Sequence, residues 1–161
     1  MDLITKQLIK VNNMKKVFLA LALLFVSFHS MADTSWKNGI GDGYHYSNTT
    51  NADSSLGLYC HTSNNTCSFI IVSTAECRAG NVYPINIITK SNSVMVNSTC
   101  SAYVGGYGYL GIDGDYNFSD VLTNNKIIVI KLPLSNGKSM IFDTSNASDK
   151  VLEMVLQFSE R

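Results

Sequence analysis

The chain is short of nearly everything that marks a known chemistry. It has no G-x-S-x-G elbow and no S-x-x-K pair, so no nucleophile stands out among its many serines. It has no CxxC pair and no histidine-rich spacing, which argues against a zinc site. Past the first 32 residues no apolar run reaches bilayer-spanning length: Phe69-Ile70-Ile71-Val72 and Ile127-Ile128-Val129-Ile130 are strand-sized. Charge is sparse, at 15% of residues, and the lysines and arginines are scattered singly. Nucleic acid and anionic membrane both favour a clustered basic face, so neither is expected as a partner. No internal repeat is visible.

What is present begins with a leader. Met14, Lys15 and Lys16 are followed by the apolar run Val17–Val26 and then by Ser30-Met31-Ala32, with small residues at the −3 and −1 positions of a cleavage site. That is the pattern of a secretory signal peptide over 14–32, and the mature protein is expected to begin at Asp33. Residues 1–13 read as an extended n-region or an upstream start. No cysteine sits at the cleavage site, which argues against a lipid anchor. Residues 1–32 contain four of the twelve lysines and arginines but one of the twelve acids, leaving eight basic against eleven acidic residues, a net charge of −3.

All four cysteines, Cys60, Cys67, Cys77 and Cys100, follow the leader, and an even count in an exported chain reads as two disulfides. Three pairings are possible. Cys60–Cys67 with Cys77–Cys100 is favoured, because His61–Thr66 looks like a hairpin tip that brings its flanking cysteines face to face. Five N-x-S/T sequons, at Asn48, Asn64, Asn97, Asn117 and Asn146, fit a surface rich in Asn, Ser and Thr behind a bacterial-looking signal.

Residues 33–161 are the size of one domain. Residues 33–54 read as a polar, loosely structured lead-in with Trp36, Tyr44 and Tyr46 as large anchors, and 55–161 as a single β-rich domain. Ser55–Cys60 and Cys67–Ser73 flank a turn at Asn64-Asn65 and predict an antiparallel hairpin. Pro84 has no backbone donor, so the strand over 82–89 is expected on an edge or beginning at the proline. Gly105-Gly106-Tyr107-Gly108-Tyr109-Leu110-Gly111 reads as a flexible loop presenting Tyr103, Tyr107 and Tyr109. Ser119–Asn124 predicts one helical turn capped by Ser119. Lys126–Leu132 and Lys138–Phe142 predict a second hairpin through Asn136-Gly137. Asn146 is expected to cap a closing helix with Val151, Leu152, Met154, Val155 and Phe158 on its apolar face. The fold expected is a mainly β domain, an antiparallel sandwich or open barrel with one C-terminal helix, stapled by disulfides.

Few residues carry chemistry. Asp113, Asp115 and Asn117 place oxygens at alternate positions, as calcium loops begin, but Phe118 and Asn124 stand where that pattern needs glycine and glutamate. A solvated Asp/Asn/Gly turn between strands is the preferred reading. His45 and His61 are possible general bases, with Asp42 or Asp53 as orienter, yet nothing in the spacing selects a partner. No cofactor is expected. Tyrosine gives contact area at low entropy cost, so the glycine-flanked Tyr107 and Tyr109, with Tyr103, are the expected binding contacts.

From Cys60 to Phe158 the order of features resembles the invasion-associated locus B family of exported bacterial proteins. The resemblance rests on the short Cys60-to-Cys67 hairpin, the later Cys100, the strand Lys126–Leu132 followed by Pro133-Leu134-Ser135-Asn136-Gly137-Lys138, and a closing helix from about Ser148-Asp149-Lys150. It implies a β-sandwich-like periplasmic protein with no catalytic residues to carry over. The expected function is a non-enzymatic periplasmic or secreted protein that binds another protein or an envelope component. The alternatives are an inhibitor or immunity protein against a wall-degrading enzyme or toxin, and a calcium-dependent module or small hydrolase.

Overall fold

Period-two alternation organises most of the chain. Leu56, Leu58 and Cys60 point one way while Ser55, Tyr59 and His61 point the other, and the same rhythm buries Ile85/Ile87, Leu110/Ile112, Ile128/Ile130 and Met140/Phe142. The computed structural model describes residues 35–114, 117–133 and 139–160. The expected leader, Asp115 and the expected Asn136-Gly137 turn lie outside these residues.

The strands are β1 (Lys37–Gly41), β2 (Tyr44–Asn51), β3 (Ser54–His61), β4 (Thr66–Ser73), β5 (Val82–Ile88), β6 (Ser93–Val104), β7 (Tyr107–Ile112), β8 (Ile127–Lys131) and β9 (Ser139–Asp143). Two helices, α1 (Phe118–Asn124) and α2 (Ala147–Ser159), complete the described elements. The strands form one antiparallel sheet in the order β1-β2-β3-β4-β7-β6-β5-β8-β9. A first meander runs from β1 to β4. The segment 74–81 then crosses to β5, from which β6 and β7 run back to pair with β4.

Although β1 and β9 stand at opposite ends of this order, side chains join the β1–β2 end of the sheet to β9. Asn51 Nδ2 of β2 donates to Ile141 O of β9 at 3.0 Å. Trp36 Nε1, just ahead of β1, donates to Asp143 O at the end of β9, also at 3.0 Å. The sheet thus curls into the open-barrel form of the expected fold, with side chains rather than a strand ladder across its seam. Helix α2 lies against β1 and β2 on the inner face, where Met154 packs with Leu58 and Cys60 and Phe158 meets the His45 ring at 5.5 Å.

Both disulfides are formed, in the favoured pairing. Cys60 and Cys67 face each other in register across the β3–β4 hairpin with Cα atoms 4.0 Å apart. Cys77 and Cys100 tie segment 74–81 to β6 with Cα atoms 6.1 Å apart.

Several expectations need correction. The described part of the expected lead-in, residues 35–54, is not loose: 37–51 form the first hairpin, turned by Asp42 (φ 50°) and Gly43 (φ 79°). A two-residue turn with both φ positive matches the twist of the flanking strands, and Asp-Gly suits it. Gly105 (φ 60°) and Gly106 (φ 84°) make the same kind of turn, so 105–111 is the β6–β7 hairpin rather than a loop. Pro84 lies on an interior strand. The β5–β8 pairing spans Asn86↔Lys131 to Ile88↔Val129, and continued in register it would set Pro84 opposite Pro133, neither of which can donate. The proline thus ends a ladder instead of marking an edge. The N-cap of α1 is Asn117, not Ser119. Asn146 occupies the N-cap of α2 but does not bond the helix amides; its Oδ1 accepts from Trp36 N (3.1 Å) and its Nδ2 donates to Trp36 O (3.3 Å). On α2, Ala147 and Met154 are buried and Val151 and Phe158 half-buried, whereas Leu152, Val155 and Leu156 face solvent.

Candidate functional site: a tyrosine-lined hollow

The outward-facing residues of the sheet carry the more distinctive chemistry. On β2 and β3 alternation sends Tyr44, Tyr46 and Tyr59 outward, opposite the buried His45, Ser47 and Leu58. Tyr46 and Tyr59 are paired directly across the two strands, and their rings stack with centroids 5.7 Å apart and planes 28° apart. Tyr44 meets Tyr59 edge-on at 6.5 Å and His61 edge-on at 4.7 Å. Offset and edge-to-face pairs of this kind add to simple burial. Two local features hold the group. Asn48 Nδ2 donates to the Tyr59 hydroxyl at 3.0 Å. Tyr46 lies against the β1 backbone at Gly39, where an added Cβ would sit 2.4 Å from the ring; only glycine admits that approach.

One strand further on, Ile70 and Val72 of β4 face the same side, and beyond them Tyr109 of β7, paired with Val72 and with Ala102. Neighbouring strands are about 4.8 Å apart, so β3 and β7 stand roughly 10 Å apart across β4. Tyr59 is paired with Ser68 and Tyr109 with Val72, so the two tyrosines are also staggered by four residues along β4, with Ile70 and Val72 as floor between them. The result is an open hollow of about 640 Å³ on the outer face of the sheet. Its rim includes Asp42 of the β1–β2 turn, Ser101 and Val104, and among the described lining residues Asp42 alone bears a formal charge. A broad, largely apolar depression with a few polar groups is the usual form of a binding site.

Of the three tyrosines expected as contacts, the structure brings Tyr109 into this hollow. Tyr107 is exposed on the same face, two residues nearer the hairpin tip, paired with Val104. Tyr103 is on the opposite face. A bulge between Cys100 and Ala102 inserts Ser101 as an extra residue, so Ala102 and Val104 turn outward and Tyr103 turns inward beside Gly108. One inserted residue exchanges the two faces of everything beyond it. Sequence reasoning missed Tyr44, Tyr46, Tyr59 and Asp42. The signal was available: Asp42-Gly43 between Ile40 and Tyr44, followed by tyrosines at alternate positions.

Asp113 and Asn117 line a separate hollow of about 410 Å³ beside Phe69 and Phe118. Asp113 Oδ1 accepts from Thr99 Oγ1 at 3.0 Å, while Asn117 Nδ2 donates to Asp120 Oδ2 at 2.8 Å. One polar atom of each is thus engaged with a protein partner. Asp115 lies outside the described residues, and among the described residues no three His, Cys, Asp or Glu side chains are grouped to hold a metal. His45 is buried on the inner face. His61 is at the exposed end of β3, its Nδ1 within 2.8 Å of Ser63 Oγ and accepting from Ser63 N at 3.1 Å, a contact that closes the hairpin tip.

Comparison with protein-family models, with curated proteins and with solved structures finds no match to this chain.

Proposed function

We propose that this is an exported, non-enzymatic bacterial protein that binds an envelope component or another protein through the tyrosine-lined hollow of β2, β3, β4 and β7. One observation carries the reading: Tyr44 and Tyr46 of β2, Tyr59 of β3 and Tyr109 of β7 converge on one open depression of about 640 Å³. Core demand does not explain them, since the opposite face of the same strands supplies the packing. Tyrosine presents a large amphipathic surface with few torsions to freeze, which favours its use in contact sites.

Export is supported by the leader pattern over 14–32 and by two disulfides, which are compatible with an oxidising extracytoplasmic compartment. Among the described residues no helix is long and apolar enough to cross a membrane. The order of features resembling the invasion-associated locus B family points to the same periplasmic or secreted setting.

The test is capture from an envelope extract by immobilised protein carrying Tyr46→Ala with Tyr109→Ala, against wild type and Tyr103→Ala, all with melting temperatures within a few degrees. Loss of captured material in the double variant alone agrees with the proposal. Capture that is equal for all three removes the hollow as the binding surface.

A further inference from the structure

The charge and shape of the hollow select among ligand chemistries. Its walls are aromatic, with Tyr46 and Tyr59 stacked, Tyr44 set edge-on to Tyr59, and Tyr109 beside Val72 at the far side of the Ile70–Val72 floor. Asp42 stands at the rim and no lysine or arginine lines the hollow among the described residues. The mature chain, at a net charge of −3, adds a weak field of the same sign.

An anion would meet the negative faces of the rings and a carboxylate, with no base to neutralise it. A neutral apolar ligand would bury against Ile70 and Val72 but would gain nothing from Asp42. An organic cation with an apolar surface satisfies both parts: its methyl or methylene groups contact the aliphatic floor, and its charge is stabilised by the electron-rich ring faces and by the carboxylate. The hollow, at about 640 Å³, has room for a trimethylammonium group over the Ile70 and Val72 floor.

We propose that the hollow recognises an alkylammonium group of the choline type, whether carried on a lipid headgroup or on a small solute. This deepens the proposed function and rests on the hollow being the binding surface. Asp42 is then more than a turn residue. The β1–β2 turn puts it, two residues before Tyr44, on the lining of the hollow.

The test titrates the disulfide-intact mature protein with choline and with 3,3-dimethylbutan-1-ol, which has the same shape without the charge, following tyrosine resonances by NMR. Choline is expected to bind several-fold more tightly than the alcohol, the scale of cation–π contacts at an open site. Tyr59→Leu should abolish that preference and Tyr59→Phe, which keeps the ring, should retain it. Asp42→Asn keeps a turn-compatible residue and should weaken choline several-fold while leaving the alcohol unchanged. Tyr103→Leu, on the opposite face, should alter neither. Sedimentation with phosphatidylcholine vesicles against phosphatidylglycerol vesicles then assigns the source: binding to the former indicates a lipid headgroup, binding to free choline alone a solute. Equal affinity for choline and the alcohol, or choline that perturbs no tyrosine of the hollow, overturns the proposal. In that event a binding partner still lost on Tyr46→Ala with Tyr109→Ala would leave the hollow as a site for a different ligand.

Discussion

At the residue scale the seam of the barrel depends on a few side chains. Trp36 is buried, its indole N–H is bonded to Asp143 O, and its own backbone N–H and C=O are both bonded to the Asn146 amide. A net hydrogen bond is worth about 0.5–1.5 kcal/mol, so Asn146→Ala is expected to cost about 1–3 kcal/mol in denaturant unfolding. A change under about 0.3 kcal/mol would show that the clamp contributes nothing. Asp143 supplies a pH test. The Ser145 hydroxyl and then the Ser145 backbone N–H bond its carboxylate and hold its pKa below 3.8, against slight desolvation. With the folded value depressed, this stabilisation is present above the unfolded pKa and is lost as pH falls through the folded one. An NMR titration should place the Asp143 midpoint below 3.8, and Ser145→Ala should raise it; an unmoved midpoint would refute the assignment. At this scale the cysteine pairs were legible, because a six-residue tip between Cys60 and Cys67 leaves a hairpin pair little choice. The tyrosines were visible as residues but not as a group. Tyr103 was placed with the wrong neighbours because nothing in Thr99-Cys100-Ser101-Ala102 announces a bulge.

At the element scale, errors came where strand residues are not apolar. Strand β2 reads Tyr44-His45-Tyr46-Ser47-Asn48-Thr49-Thr50-Asn51, and its buried positions are His45, Ser47 and Thr49, so a hydrophobic pattern is missing although the alternation is intact. In β7, glycines weaken the pattern, yet two neighbours supply the hydrogen bonds that intrinsic propensity does not. Hairpins with apolar, β-branched strands, such as β3–β4, were legible from the pattern alone. The two disulfides differ in what they constrain. Cys60–Cys67 closes seven residues within an existing hairpin, whereas Cys77–Cys100 closes 23 and anchors the crossover to β5. Loop-closure entropy gives about 2 kcal/mol for the first and about 3 kcal/mol for the second. Cys77→Ala with Cys100→Ala is therefore expected to lower unfolding stability about 1 kcal/mol more than Cys60→Ala with Cys67→Ala. The reverse order would place the main constraint in the hairpin.

At the scale of the whole molecule the curled sheet divides the work between its faces. The inner face and the two helices form the core, which frees the outer face of β2, β3, β4 and β7 to present tyrosines. The fold class was legible because strand-sized apolar runs, turn signals and one terminal amphipathic segment all pointed to it. The site was not, since it joins residues as far apart in sequence as Asp42 and Tyr109 through the β4–β7 pairing, a long-range contact that local pattern does not encode. Export has its own signature in the chain as a whole: intact protein from an envelope fraction should begin at Asp33 and accept thiol alkylation only after reduction. A mass beginning at Met1 or Met14 with four free thiols would contradict it.

The central claim, that the hollow contacts a partner in the cell, is tested most directly by photo-crosslinking in the living host. A benzoylphenylalanine is placed at Val104, on the rim of the hollow, and separately at Leu152, on the solvent-facing side of α2. The account predicts a discrete adduct from position 104 that disappears when Tyr46→Ala and Tyr59→Leu are added, and none from position 152. An adduct from position 152 with none from position 104 would place the contact surface on the helix and contradict the account.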